Sequence, residues 1–157
     1  MAKIMSGNWN ELPWRISPRK IVDGVPHVKI MAFGMECENL LCTICEIQNG
    51  SPIGPHTHPH EQIAVCLAGC CDYYVDDIPY HLTAGGWVNV PPYVNHYVSV
   101  TDSPVPCIQM DIFSPSRQST IDEYKDFLKT QDIDWDSKVL EVEDLSAPKE
   151  EGFENRS

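Results

Sequence analysis

Between His27 and Phe113 the chain reads as short apolar runs cut by turn residues. The runs "HVKIMAFG", "NLLCTICEI", "EQIAVCLAG", "CDYYVDD", "IPYHLTAGG", "WVNVPP", "HYVSVTD" and "PCIQMDIF" are rich in Val, Ile, Tyr and Cys, with Gly, Pro, Asn and Asp around them. Such runs with such boundaries are strand signals. Their regular recurrence predicts an all-β antiparallel sandwich or barrel. "VDDIPY" predicts a hairpin turn, and "AGGWV" a tight turn before another strand.

Helical periodicity comes only late, over residues 119–131. Ser119 or Thr120 is the expected N-cap, with Asp122 and Glu123 in the first turn. Ile121, Tyr124, Phe127 and Leu128 form an apolar stripe. Residues 1–30 contain two tryptophans and prolines that limit helix, which predicts an extended arm packed across the barrel or onto a second subunit. The organisation expected is therefore an arm (1–30), a barrel (31–118), a helix (119–131) and an acidic tail (132–157), partly disordered. The tail holds nine Asp/Glu against three Lys/Arg, and its Trp135, Val139, Leu140, Val142 and Leu145 are candidates for docking.

Composition narrows the partners. At 157 residues there is material for one core. A net charge of −12 argues against nucleic acid and anionic membrane surfaces, which need clustered Lys/Arg. No stretch approaches the roughly 20 apolar residues of a membrane span. "MAKIMSGNWNELPW" has no signal-peptide core, so a cytoplasmic location is expected. The seven cysteines then read as reduced thiols. Cys42 and Cys45 have CxxC spacing, but within "LLCTICEI" they read as small strand residues on opposite faces.

Half of the six histidines lie within five residues, at His56, His58 and His60, followed by Glu61 and Gln62. In a strand, positions 56 and 58 point the same way and offer two imidazoles to a divalent metal. Gln62 shares their parity, whereas Glu61 faces away. Further on, Pro91-Pro92 force a rigid turn before a strand that begins at His96. That turn gives a way to bring another imidazole beside the first pair.

These residues resemble the two-part cupin signature. Gly50, His56, His58, Gln62 and Gly69 follow its first motif, and Gly86, Pro91-Pro92 and His96 its second. The usual glycine after the proline is replaced within "PPYVN". The resemblance implies a single cupin barrel (a double-stranded β-helix, or jelly roll), usually in a homodimer. It implies a divalent metal (Ni, Zn, Fe or Mn) held by His56, His58, Gln62 and His96. Glu61 is the alternative to Gln62, and His60 belongs to the rim.

Asp111, Phe113 and Gln109 share parity in the last strand run, and Arg117 follows a Ser-Pro-Ser turn. "HTHPHEQ" followed by "DIFSPSR" is similar to the small KdgF-type cupins of uronate catabolism, over about residues 18–130. That resemblance implies linearisation of 4,5-unsaturated monouronates, a small anionic substrate, and catalytic roles for Asp111, Phe113 and Arg117. Other readings stay open: a cupin dioxygenase, a lyase on another small carboxylate, or a binding protein without activity.

Overall fold

The computed structural model describes residues 1–143. In chain order the strands are β1 (Ala2–Ile4), β2 (Arg15–Ile16), β3 (Ile21–Val22), β4 (Val25–Pro26), β5 (Val28–Phe33), β6 (Leu41–Ile47), β7 (Glu61–Ala68), β8 (Cys70–Val75), β9 (Ile78–Thr83), β10 (Trp87–Val90), β11 (His96–Ser99) and β12 (Cys107–Ser114). Helix α1 (Gln118–Thr130) and β13 (Leu140–Val142) follow. Six strands form one antiparallel sheet in the order β10-β7-β12-β6-β5-β2, and three form the facing sheet, β11-β8-β9. The two sheets close over a common interior as a cupin-like barrel, as the turn spacing predicts.

The β8–β9 hairpin turns at Asp76 and Asp77, with φ of 52° and 59°. Two successive positive φ values define the turn whose twist matches a hairpin, and Asp tolerates them. Strand β12 alternates buried and half-buried residues along its whole length. Cys107, Gln109, Asp111 and Phe113 are its buried set, while Ile108, Met110 and Ile112 take the other face. A register shift against β7 falls between Ile108 and Gln109, just before the polar residues of the strand. Bulges of this kind re-aim side chains beside functional sites.

On the outer side, α1 packs Ile121, Tyr124 and Leu128 against Met31, Ala32, Leu41, Ile44 and Phe113. Tyr124 donates its hydroxyl to Pro13 O at 2.8 Å, which ties the N-terminal segment down. The helix starts one residue before the expected segment, and its N-cap is Arg117, not Ser119 or Thr120. Asp122 and Glu123 therefore lie beyond the first turn. Asp122 instead accepts from the Gln118 amide at 2.8 Å, four residues earlier. The early start leaves the Arg117 side chain at the junction between strand and helix.

The N-terminal segment is more structured than a single extended arm. It contributes β2 to the edge of the large sheet, folds β3 and β4 into a hairpin, and pairs β1 with β13. Beyond the helix, Trp135 is buried in the outer layer and β13 is ordered on β1. Leu145 and the last ten residues lie outside the described residues. All seven cysteines are free thiols. Cys42 and Cys45 fall at opposite strand parity in β6 and do not form a pair. Among the described residues no helix is long and apolar enough to cross a membrane.

Candidate metal centre

The histidines meet by a route that strand parity did not foresee. Residues 51–60 form no regular strand. His56 instead makes an isolated antiparallel bridge with His96, its N–H to His96 O at 3.2 Å and the reverse bond at 3.0 Å. The second loop is tied to the first by Tyr93, whose N–H donates to His58 O at 2.8 Å. Tyr93 holds φ at +64°, the left-handed conformation that glycine adopts at no cost. It occupies the turn where the cupin signature usually has glycine, and the backbone path is kept although the residue is not.

The result is a compact cluster. One ring nitrogen from each of His56, His58 and His96 lies within 4.8 Å of the other two. Each ring is aimed by its other nitrogen. Nδ1 of His56 is 2.7 Å from Gly54 O, that of His58 is 3.0 Å from His60 O, and that of His96 is 2.9 Å from Val94 O. A carbonyl only accepts, so each Nδ1 carries the proton and each Nε2 presents a lone pair inward. His96 Nε2 is buried with no hydrogen-bond partner. Burial pushes the His96 imidazole down to about 4 and holds His56 below its ordinary value, so both are neutral at pH 7.

Gln62 completes the set. Its Nε2 donates to Tyr73 Oη at 3.0 Å and to Asp111 Oδ1 at 2.8 Å, which uses both amide protons. Its Oε1 is thereby turned to His58 Nε2 at 3.0 Å. Two acceptors face each other there, an arrangement that costs energy unless a cation sits between them. Three imidazoles and an amide oxygen converging in this way, with one ring nitrogen orphaned, fit a divalent metal. Glu61 is exposed on the outer side of β7. The His60 ring lies 5.3 Å from that of His58 and 6.4 Å from Phe113, at the rim.

Beside the cluster is a cavity of about 220 Å³ whose lining includes His56, Gln62, His96, Asp111, Phe113 and Arg117. Asp111 Oδ1 accepts from Gln62 and, at 2.7 Å, from Gln109 Nε2. Burial pushes its carboxyl up to about 6, against the pull of those two amides and of Arg117. The Phe113 ring stands edge-on to His58 at 5.7 Å. Arg117 places its guanidinium carbon 5.7 Å from the Phe113 ring centre. Ser116, next to it, donates to Leu40 O at 2.9 Å and pins this corner to the β5–β6 turn. Every residue that sequence reasoning selected for the site is thus in one place, apart from Glu61.

Sequence reasoning missed Tyr73, Thr43 and Lys20, which line the same cavity. Tyr73 was legible only as one inward residue of "CDYYV", with nothing to mark it as the partner of Gln62.

The cupin domain family matches residues 43–113. The match spans less than half of the chain, and together with the fold it supports a small protein of the cupin type. Among solved structures it is similar to an RmlC-like cupin from Shewanella frigidimarina, with 23% identity, a TM-score of 0.61, and coverage of 76% of this chain and 99% of that one. KdgF from a Halomonas species is 20% identical with a TM-score of 0.59, covering 71% and 94%. A predicted oxalate decarboxylase from Thermotoga maritima is 15% identical with a TM-score of 0.60, covering 71% and 100%. At these identities the likeness establishes the fold. No curated protein matches the chain in sequence.

Proposed function

We propose that this cupin is a metal-dependent isomerase of small sugar acids, opening the ring of 4,5-unsaturated monouronates. The observation that carries the reading is Asp111, a buried carboxyl held near neutrality in a cavity that also contains the metal cluster and Arg117. Both amide hydrogen bonds fall on Oδ1, and Oδ2 makes no hydrogen bond among the described residues. An oxygen so left is free to take and return a proton, and a carboxyl titrating near 6 does both at pH 7. The likeness to KdgF and the "DIFSPSR" stretch support the choice of substrate.

His56, His58, His96 and Gln62 would hold the metal, which when bound supplies a Lewis acid for a sugar oxygen. The chain's own residues do the rest. Asp111 as carboxylate accepts the proton of the anomeric hydroxyl while the bond from C1 to the ring oxygen breaks. It then delivers a proton to the vinylic carbon C4, and the former ring oxygen becomes a ketone. Substrate and product have the same composition, so no redox partner is needed. Arg117 offers a planar fork to the substrate carboxylate, and Phe113 walls the ring. The cavity is smaller than the roughly 300–1,000 Å³ of sites for drug-sized ligands, which suits one sugar ring.

The test is spectrophotometric. Metal-loaded protein should remove the ultraviolet absorbance of an unsaturated monouronate without consuming oxygen. Metal-dependent oxygen uptake on the same substrate would replace this reading with the dioxygenase one.

A further inference from the structure

The N-terminal segment delivers a second cation to the substrate cavity. Lys20 ends a turn in which its N–H bonds Ser17 O at 3.1 Å, and its carbonyl accepts from His27 N–H at 2.8 Å. Its side chain crosses to the loop in front of His56, where Nζ donates to Pro52 O. The crossing depends on Gly54, because a Cβ there would stand 2.9 Å from Nζ. Gly54 is also the residue whose carbonyl aims the His56 ring.

A structural strut explains the bond to Pro52 but not the rest. An ammonium has three donors, and Pro52 O takes one of them. Lys20 lines the same cavity as Arg117 and Asp111. Among the described residues neither Lys20 nor Arg117 makes a salt bridge, as every such pair uses other residues. In a chain with 23 acidic and 11 basic residues, two unpaired cations at one small cavity are unexpected unless an anion is to be bound there. Asp111 feels the charge of Arg117 but forms a salt bridge with neither cation. Burial also holds the Lys20 ammonium below its ordinary value, so its surroundings do little to replace the water it has lost.

We propose that Lys20 is a second anion-binding residue of this cavity, gripping together with Arg117 the carboxylate of the sugar acid. The proposal rests on the sugar-acid reading above and adds to it that recognition of the carboxylate is shared between the N-terminal segment and the start of α1.

The experiment compares wild type, Lys20→Met and Lys20→Arg on an unsaturated monouronate and on its methyl ester. Lys20→Met should raise KM for the acid about tenfold or more and change kcat far less. It should leave KM for the ester unchanged, and Lys20→Arg should recover most of the loss. Equal losses on acid and ester, or no loss on either, would overturn the assignment in favour of a strut. Should wild type turn over neither compound, the isomerase reading fails by itself. Lys20 is then judged by thermal shift of the metal-loaded protein with galacturonate against galactose. A galacturonate-specific shift that Lys20→Met abolishes supports it. A shift that survives the substitution, or no such shift in wild type, rejects it.

Discussion

The inside of the barrel and the layer between the large sheet and α1 are both buried and both hold an apolar cluster, but only the inside mixes polar and ionisable groups with it. Thr43, His58, Gln62, His96, Gln109 and Asp111 are buried on the barrel side. The outer layer buries Met31, Ala32, Met35, Leu41, Ile44, Ile121, Tyr124, Leu128 and Trp135. Strand β12 serves both, with Gln109 and Asp111 toward the cavity and Ile108 and Met110 among the outer apolar residues. Phe113 belongs to the outer cluster and also lines the cavity. Apolar burial stabilises at roughly 25 cal/mol per Å², whereas a buried carboxyl costs energy unless its use justifies it. Apolar packing on both sides of the large sheet thus holds the fold, and the polar part of the interior spends some of that stability on a reactive site.

Substitutions on the two sides should therefore separate activity from stability. The largest effect is expected for His96→Ala, which removes a donor from the cluster. Metal content measured by elemental analysis should fall, and turnover should drop by more than the roughly 100-fold lost when only a supporting residue of a metal site changes.

Asp111→Asn comes next. Turnover should fall about 10²- to 10⁴-fold, as for loss of a general acid–base group, with metal content kept. Stability of the metal-free protein should move the other way. Folding raises the Asp111 pKa from 3.8 to about 6, so the native state favours the neutral form. That contribution is complete below about pH 4 and is lost as pH rises through 6. A shift of about two units corresponds to roughly 3 kcal/mol. Denaturant unfolding should show the variant's relative stability increasing from pH 4 to pH 8. A gap that does not change with pH would mean that Asp111 carries no such cost.

Leu128→Ala tests the other side. Leu128 is fully buried against the sheet, and its truncation should cost about 2–5 kcal/mol in unfolding measurements. KM and metal content of the folded protein should not change. The smallest effect is expected for Tyr93→Gly. Relief of the left-handed conformation should stabilise by about 1 kcal/mol at most, seen as a small rise in Tm with the histidine cluster intact.

The sequence made the donors legible better than the way they are held. His56, His58 and His96 stood out because few other arrangements explain alternate histidines followed at a distance by Pro-Pro and a further histidine. Strand parity was the wrong reason for pairing His56 with His58, since a loop and one cross-bridge hold them. Parity did hold for Gln62 and Asp111, which sit in regular strands. The pairing of β1 with β13 joins the two ends of the described chain, and Lys20 reaches a loop 32 residues away. Contacts this distant leave no local pattern to read. Tyr93 was visible only as a departure from the cupin motif, and its backbone explains why the departure is tolerated.

The central claim is that the barrel floor is a metal site made of three imidazoles and one amide. Elemental analysis of the purified protein, before and after dialysis against a chelator and on reloading, tests it most directly. The account predicts one divalent ion per chain in wild type and a large loss in both His96→Ala and Gln62→Leu. Activity should disappear with chelation and return with the metal. Wild-type protein that stays active with no bound metal, or full metal occupancy in His96→Ala, would contradict it.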